Sequence, residues 1–285
     1  MAHLILQSPT LNHAIVEKIA AIVSADGVQE LGPTVIRILG AGDTAELRAE
    51  VASECQKARM DFAFLAEIQL LRECKVLAMD MDSTLINIEC IDEIAAAVGR
   101  KEQVAAITEA AMRGEITDFS ESLIRRVALL EGVPESALLS VYENCLQLNP
   151  GAQRLISTAK QHGVHTLLVS GGFTFFTERL KERLGLDEAH ANTLEVVDGK
   201  LTGRVLGDIL DAQAKADHVS RLAAKFDATP QQIIAVGDGA NDLKMMSKAG
   251  FSVAYRAKPV VQEQAAFALN YSPLDAIINW FRLSY

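Results

Sequence analysis

Three short polar motifs in this 285-residue chain carry residue types that can do chemistry together. They are DMDST at residues 80–84, SGG at residues 170–172 and GDGAND at residues 237–242. Asp80 and Asp82 are two positions apart, so their side chains point to the same side if the segment stays extended. Two like charges so close need compensation, which a divalent cation can supply. Because the ligands on offer are oxygens, the set favours Mg²⁺, with Asp238 as a third carboxylate.

A magnesium ion beside glycine-rich turns and a hydroxyl group suits a phosphoryl group, whose charge is met by metal, backbone N–H groups and a cation. Each motif alone is more often ordinary turn chemistry, but all three together indicate a site. Motifs of other ligand-binding classes are incomplete or absent in the sequence. GDGAND has two of the three glycines of the dinucleotide fingerprint, with Asp242 in place of the third, and the sequence contains neither a GxxxxGK[ST] phosphate loop nor zinc-binding histidine spacing.

Each motif directly follows a run of consecutive apolar residues. The runs are VLAM at 76–79, TLLV at 166–169 and IIAV at 233–236. Such runs are typical of parallel strands that are covered on both faces. The carboxyl ends of parallel strands share one edge, where open α/β sheets bind ligands. The sequence therefore predicts an α/β fold with a doubly wound parallel sheet and all three motifs at one edge.

The segment between the first two predicted strands is far longer than a parallel crossover needs. Apolar residues recur in it at helical spacing, as in the series from Ile91 to Val98 and from Phe119 to Leu130. We therefore predict an inserted helical cap at about residues 87–148 that closes over the substrate and excludes water. Further on, Asp198-Gly199 between two apolar stretches predicts a β-hairpin.

Residues 1–72 alternate short strand and helix patterns in the order βαββαβ. This order resembles the ferredoxin-like fold of ACT regulatory domains, so we expect a small N-terminal α+β domain followed by a larger domain at residues 73–285. A docking or dimerising domain is an equally good interpretation of the same pattern, and a homodimer would follow from it.

Composition excludes several classes of protein. The 27 basic and 37 acidic residues leave a formal net charge of −10, which argues against nucleic-acid binding. The four cysteines form no CxxC pair, as expected for reduced thiols in the cytoplasm. The N-terminal apolar run is too short for a signal peptide, and no apolar stretch is long enough to span a bilayer. We expect a small-molecule substrate, with neither nucleic acid nor membrane as partner.

The three motifs and Lys215 resemble, in order, the four motifs of the haloacid dehalogenase-like superfamily, with matches from about residue 75 to residue 255. The resemblance implies a HAD-like Rossmannoid core. It also implies that Asp80 is the nucleophile, which forms an aspartyl-phosphate with the substrate phosphorus. Asp82 would protonate the leaving oxygen and later activate the hydrolytic water, which requires a raised pKa.

The resemblance assigns further residues to the phosphate and the metal. Three groups would hold the transferring oxygens: Ser170, the Gly171 N–H and Lys215. Three groups would bind Mg²⁺: Asp80, the backbone carbonyl of Asp82, and Asp238. Asn241 and Asp242 would position the phosphate or water and support the metal shell. Taken alone, Lys215 would be interpreted as an exposed helix lysine.

Within the superfamily the chain resembles the members that hydrolyse O-phospho-L-serine. Glu89 and Arg126 match the positions at which those members bind the amino-acid end of the substrate. A carboxylate suits the substrate ammonium, and a guanidinium fork suits its carboxylate. Because Arg125 is adjacent, the arginine assignment is open by one position. Met112 and Phe119 would line the pocket around the substrate methylene.

We therefore expect Mg²⁺-dependent hydrolysis of O-phospho-L-serine to L-serine and phosphate, the last step of serine biosynthesis. Three alternatives stay open: phosphotransfer to another hydroxyl acceptor, action on another small phosphorylated metabolite, and amino-acid sensing by residues 1–72. Haloacid dehalogenation is disfavoured because it needs neither a general acid at Asp82 nor a metal cluster with Asp238.

Overall fold

The computed structural model describes residues 2–112, 115–116 and 118–284, with side chains for all of these except residues 111 and 112. Two β-sheets organise this part of the chain, one of four strands and one of seven. Within the described residues, no helix is long and apolar enough to cross a membrane.

The N-terminal residues form the four-stranded sheet and two helices. The elements are β1 (Ala2–Gln7), α1 (His13–Ile22), β2 (Gly27–Gly32), β3 (Val35–Ala41), α2 (Ala45–Ala58) and β4 (Asp61–Leu65). The sheet is antiparallel in the order β2-β3-β1-β4. The side chains of Asn12 and Thr44 cap α1 and α2 by accepting backbone N–H groups of the first turn. The predicted βαββαβ order is confirmed, whereas an ACT-like role stays a prediction.

The seven-stranded sheet carries the three motifs. Its strands are β5 (Val76–Met79), β6 (His165–Phe173), β7 (Glu188–Val197), β8 (Lys200–Leu206), β9 (Ile233–Gly237), β10 (Phe251–Tyr255) and β11 (Phe267–Leu269). Their order is β11-β10-β9-β5-β6-β7-β8, and all neighbours are parallel except β7 and β8. The three predicted strands, β9, β5 and β6, are adjacent, and the doubly wound fold class is confirmed.

Helices cover this sheet on both faces. They are α7 (Ala152–Gln161), α8 (Thr174–Leu184), α9 (Ala212–Lys225), α10 (Leu243–Met246) and α11 (Pro259–Gln264). Leu77 and Met79 of β5 belong to the hydrophobic cluster on the α7 face, whereas Val76 and Ala78 belong to the cluster on the α9 face. Burial on both sides explains why β5 has no polar residue.

The second motif lies inside a strand, contrary to the prediction that it forms a loop after one. Strand β6 continues to Phe173, although its regular pairing with β7 is interrupted between Val169 and Phe173. Pairing resumes between Phe173 and Asn192, so residues 170–172 form an irregular stretch held at both ends. The predicted hairpin is confirmed, since Asp198 and Gly199 both have positive φ and join β7 to β8.

Four helices lie between β5 and β6: α3 (Cys90–Ala97), α4 (Lys101–Met112), α5 (Phe119–Ala128) and α6 (Ser136–Asn144). The two connections to this segment run side by side, because Ile86 and Leu148 form an antiparallel bridge. Asn149 ties them further by donating from Nδ2 to the carbonyls of Thr84 and Ile86, at 2.8 and 3.0 Å. The helical character of the insertion is confirmed, and its closure over substrate stays a prediction.

A buried carboxylate joins the N-terminal sheet to the larger part of the chain. Asp61 of β4 accepts the backbone N–H groups of three consecutive residues, Asn270, Tyr271 and Ser272. Burial raises the pKa of Asp61, and these hydrogen bonds oppose the rise because they favour the charged form. The carboxylate therefore anchors the N-terminal sheet to the segment after β11.

Candidate active site

Asp80 directly follows β5 at the carboxyl edge of the sheet and is buried. The next residues form one wide turn, which the Ile86 N–H closes by donating to the Met81 carbonyl at 3.0 Å. Ser83 sits in this turn at a φ of 56°, a left-handed conformation that is uncommon for a residue with a side chain. Such widened turns are frequent at functional sites, and this one brings Asp82 back beside the sheet edge.

Lys215 is fully buried, unlike the exposed helix lysine that its sequence alone suggested. Its Nζ lies 2.8 Å from Oδ1 of Asp80 and 2.8 Å from Oδ1 of Asp242. Burial opposes a positive charge here, but the two carboxylates outweigh it and raise the pKa of Lys215 above its ordinary value. Helix α9 therefore delivers a permanent cation to the side of Asp80.

The third motif folds back on its own last residue. Oδ2 of Asp242 accepts the backbone N–H groups of Asp238 and Gly239, at 3.1 and 3.0 Å. A Cβ at Gly237 would lie 2.5 Å from Cβ of Asp242, so the turn requires glycine there. Oδ1 of Asp238 accepts the hydroxyl of Thr84 at 2.9 Å. Thr84 thus joins the first motif to the third, a role that only its place inside the first motif could have indicated from the sequence.

Among the described residues, Asp80, Asp238 and Asp242 form the group of carboxylates that could hold a metal ion, with ligand atoms within 4.8 Å of one another. Burial first, and then Asp242, raise the pKa of Asp238 to about 6. Lys215 offsets one of the three negative charges, so the cluster favours a further cation. An all-oxygen set of buried carboxylates fits a hard divalent ion.

This candidate metal-binding group differs in part from the predicted set. It includes the carboxylate of Asp242, which the sequence placed outside the direct ligands. Both oxygens of Asp242 already accept hydrogen bonds, from Lys215 on one side and from backbone N–H groups on the other. These partners suit the supporting role that was predicted for Asp242.

Asp82 is desolvated by burial like Asp80, but its strongest charged neighbour is a carboxylate and it forms no ion pair with Lys215. Its Oδ1 accepts the backbone N–H of Cys90 at 3.1 Å. Burial, and then the negative charge of Glu89, raise the pKa of Asp82 to about 7. A Cβ at Gly172 would lie 2.6 Å from Oδ2 of Asp82, so this carboxyl packs against the second motif. A group with a pKa near neutrality can both donate and accept a proton.

The second motif meets the helical insertion at an aromatic ring. The Ser170 Oγ is buried and accepts the Gly172 N–H at 2.9 Å. A Cβ at Gly171 would lie 2.9 Å from Cζ of Phe119, so the ring covers the glycine directly. The structure therefore brings Phe119 to the same edge as Ser170 and Gly171.

Glu89 and Arg126, both in the helical insertion, are near enough for their charges to interact. Oε1 of Glu89 accepts the Ser83 hydroxyl at 2.6 Å. Burial raises the pKa of Glu89, and the positive charge of Arg126 is near enough to oppose that rise. Arg125 is exposed instead and pairs with Glu121 on its own helix. Arg126 is thus the arginine beside Glu89.

Asn241 and Met112 are the two remaining residues of the predicted site. Asn241 is half-buried, and a Cβ at Gly239 would lie 2.3 Å from its Oδ1, so its side chain bends over the turn of the third motif. Met112 ends α4, and its side chain lies outside the described residues. A cation that the sequence analysis missed is Lys258, whose charge acts on Glu89 and whose backbone N–H donates to the Asp238 carbonyl at 3.3 Å.

This fold and carboxylate edge belong to a known class. The family model for haloacid dehalogenase-like hydrolases matches residues 77–247, and the chain belongs to that family. A model for a domain of unknown function, DUF4072, matches residues 4–51.

Relatives of known name indicate a narrower class of enzyme within this family. The chain is 55% identical over 213 residues to a phosphoserine phosphatase of Polaromonas sp., covering 73% of this chain and 90% of the relative. It is 45% identical over 233 residues to a phosphoserine phosphatase of Vibrio cholerae, covering 82% of this chain and 70% of the relative. The resemblance drawn from the motifs is confirmed.

Two solved structures agree with this one over nearly the whole chain, and a third agrees over about three quarters of it. An unliganded probable phosphoserine phosphatase from Vibrio cholerae has a TM-score of 0.83 at 38% identity, covering 98% of this chain and 85% of that one. A HAD-family hydrolase from Salmonella enterica serovar Typhi has a TM-score of 0.89 at 31% identity, covering 99% and 98%. A substrate-bound phosphoserine phosphatase has a TM-score of 0.68 at 39% identity, covering 73% and 99%.

Proposed function

We propose that the protein hydrolyses O-phospho-L-serine to L-serine and phosphate with Mg²⁺ as its divalent cation. The observation that carries this proposal is the contrast between two neighbouring aspartates. Asp80 lies 2.8 Å from the ammonium of Lys215, whereas Asp82 lies beside Glu89 and has a pKa of about 7. The ammonium beside Asp80 favours its ionised, nucleophilic form against burial and Asp242, whereas the negative charge of Glu89 adds to burial in favouring the protonated, proton-donating form of Asp82.

In the first half of the reaction, a carboxylate oxygen of Asp80 attacks phosphorus. The new bond joins Asp80 to phosphorus, the bond from phosphorus to the serine oxygen breaks, and Asp82 gives its proton to that oxygen. Burial and Asp242 raise the pKa of Asp80 well above its ordinary value, and Lys215 opposes this by stabilising the charged form. Asp80, Asp238 and the Asp82 carbonyl would hold a divalent cation, which would supply further positive charge to the carboxylate and the phosphoryl oxygens.

In the second half, water attacks the phosphorus of the aspartyl-phosphate. Asp82, now ionised, accepts the proton of the water, and the Asp80 carboxylate leaves as phosphate forms. Ser170, the Gly171 N–H and Lys215 hold the phosphoryl oxygens while charge spreads over them. Phe119 covers Gly171 and would shield this part of the motif from bulk water.

Substrate choice rests on the helical insertion. Glu89 would bind the ammonium of phosphoserine and Arg126 its carboxylate, because both lie in the helical insertion, their charges interact, and Glu89 accepts the hydroxyl of Ser83 in the first motif. Met112 and Phe119 would line the space around the methylene. The four cysteine thiols are free, which supports action in a reducing compartment, and we place the reaction in the cytoplasm.

A panel of phosphomonoesters tests this function directly. Phosphate release is measured from phosphoserine, phosphothreonine, a sugar phosphate, a nucleotide and an aryl phosphate, each with Mg²⁺ and with excess chelator. We expect metal-dependent preference for phosphoserine and loss of turnover in Asp80→Asn, which keeps the shape of the side chain. A stronger activity on another member would contradict the substrate, and near-normal turnover of Asp80→Asn would contradict the nucleophile. Addition of competing alcohols separates hydrolysis from phosphotransfer.

A further inference from the structure

Asn192 of β7 is a buried polar side chain that the reaction scheme above does not use. It is 2% exposed, and both ends of its amide are engaged. Nδ2 donates to the Gly171 carbonyl at 2.9 Å, and Oδ1 accepts the Leu210 N–H at 2.7 Å. One amide thus joins the second motif to the segment that leads into α9.

The first bond repairs the irregular stretch of β6. Regular pairing between β6 and β7 is interrupted between Val169 and Phe173, and the Asn192 side chain satisfies the Gly171 carbonyl within that gap. In a planar trans peptide, the Gly171 carbonyl and the Gly172 N–H point in opposite directions. The Gly172 N–H donates to Ser170 Oγ at 2.9 Å. Holding the carbonyl therefore also orients the donor that fixes the Ser170 hydroxyl.

The second bond holds the start of the helix that carries Lys215. Leu210 immediately precedes Asp211, whose side chain caps α9 by accepting the Ala214 N–H at 2.8 Å. Lys215 follows one turn later and reaches Asp80 from there. A shift of this helix start would move the ammonium away from the carboxylate.

We propose that Asn192 is a positioning residue for phosphoryl transfer. It holds Ser170 and Lys215 in their positions around Asp80. The inference rests on the proposed function, because that function places Ser170 and Lys215 at the transferring phosphoryl group. Asn192 acts through these two groups and does not bind the substrate. Its effect should therefore follow the phosphoryl group and be independent of the rest of the substrate.

The test compares Asn192→Ala and Asn192→Asp with a matched control, Thr166→Val. Asn192→Ala removes both bonds, whereas Asn192→Asp keeps an acceptor for Leu210 and loses the donor to Gly171. Thr166 is also fully buried between β6 and the start of β7, where its hydroxyl donates to Asp187 at 2.8 Å. Its hydroxyl also accepts the Asp187 N–H at 3.1 Å. Thr166 lies at the opposite end of β6, so Thr166→Val removes two buried side-chain hydrogen bonds far from the site.

We expect Asn192→Ala to lower kcat/KM by about 10- to 100-fold, as loss of supporting hydrogen bonds does at other catalytic centres. The factor should be the same for phosphoserine and for an aryl phosphate, and inorganic phosphate should become a weaker inhibitor. Thr166→Val should lose stability and retain kcat/KM. In a Ser170→Ala background, Asn192→Ala should cost less than in the wild type, because one of its two routes is already lost.

Three results would overturn the inference: unchanged kcat/KM in folded Asn192→Ala, an equal loss in Thr166→Val, or full additivity with Ser170→Ala. Should Asn192→Ala fail to fold, Asn192→Asp carries the same comparison. If the wild type hydrolyses an aryl phosphate and not phosphoserine, the substrate proposal fails, while the Asn192 comparison is still decided on the aryl phosphate.

Discussion

Replacing Lys215 with methionine tests the electrostatic core of the site. Methionine keeps most of the length and volume of the side chain and removes its charge. The ammonium lies 2.8 Å from one oxygen of Asp80 and 2.8 Å from one oxygen of Asp242, and the residue is fully buried. Lys215→Met therefore leaves two carboxylates facing each other without their shared cation. Turnover should be lost, and the fold should be weakened as well.

The size of the expected stability loss follows from the burial of Lys215. Removing one partner of a buried ion pair costs about 3–5 kcal/mol of unfolding free energy, because the remaining charge stays desolvated. The cost also depends on pH. Burial and Asp242 already raise the pKa of Asp80, and loss of the ammonium raises it further. For an acid whose folded pKa exceeds its unfolded value, the penalty is absent below the unfolded pKa of about 4 and grows as the pH rises through the folded pKa.

Urea unfolding in the presence of chelator measures this cost, at about pH 5 and at about pH 8. We expect a larger deficit at the higher pH. Lys225→Met is the matched control, since Lys225 lies at the exposed end of the same helix and contacts the ring of Phe226. A deficit for Lys215→Met below about 1 kcal/mol at about pH 8, the range of an exposed ion pair, would contradict the role of the ammonium as a buried partner of both carboxylates.

Three further predictions address other parts of the chain. Arg126→Ala should raise KM for phosphoserine and leave hydrolysis of an aryl phosphate unchanged, whereas Arg125→Ala should affect neither; equal losses on both substrates would contradict the assignment. Asp61→Ala should lower the unfolding free energy by about 1–3 kcal/mol in urea titrations, because it strands buried N–H groups. Burial raises the pKa of Glu188, but hydrogen bonds with Arg221 and its histidine neighbours outweigh burial and lower the pKa to about 2. Glu188 therefore stabilises the fold at pH values above its ordinary pKa of 4.5, and this stabilisation is lost as the pH falls towards 2. Glu188→Gln should therefore flatten the acid limb of a stability–pH curve.

The sequence predicted the central strands correctly because their signal is local. A parallel strand covered on both faces must be apolar at every position, and residues 76–79 and 233–236 satisfy that rule without reference to the rest of the chain. The hairpin at Asp198-Gly199 could also be predicted locally, because its turn needs two adjacent residues with positive φ and Asp-Gly is a favoured pair for that conformation. That the three motifs meet at one sheet edge could be predicted from topology, because the carboxyl ends of neighbouring parallel strands lie at the same edge.

The features that the sequence did not reveal depend on partners far along the chain. Thr84 donates to a carboxylate 154 positions away, and Asn149 donates to a carbonyl 65 positions away. No periodic pattern encodes such pairs, so these residues had the appearance of ordinary loop polar groups. The burial of Lys215 could not be predicted for the same reason, since its two carboxylates lie in the turns that follow β5 and β9. The irregular end of β6 resembled a loop because it contains two glycines.

The contrast between Asp80 and Asp82 links substrate recognition to proton transfer. Glu89 is the negative charge that, after burial, raises the pKa of Asp82 to about 7. In the proposed function, Glu89 also receives the ammonium of phosphoserine. That ammonium would offset the charge of Glu89, so the pKa of Asp82 would fall and its proton would be released more readily to the serine oxygen. A phosphomonoester that lacks the ammonium would leave Asp82 a weaker acid, and part of the preference for phosphoserine would then arise in the transfer step itself.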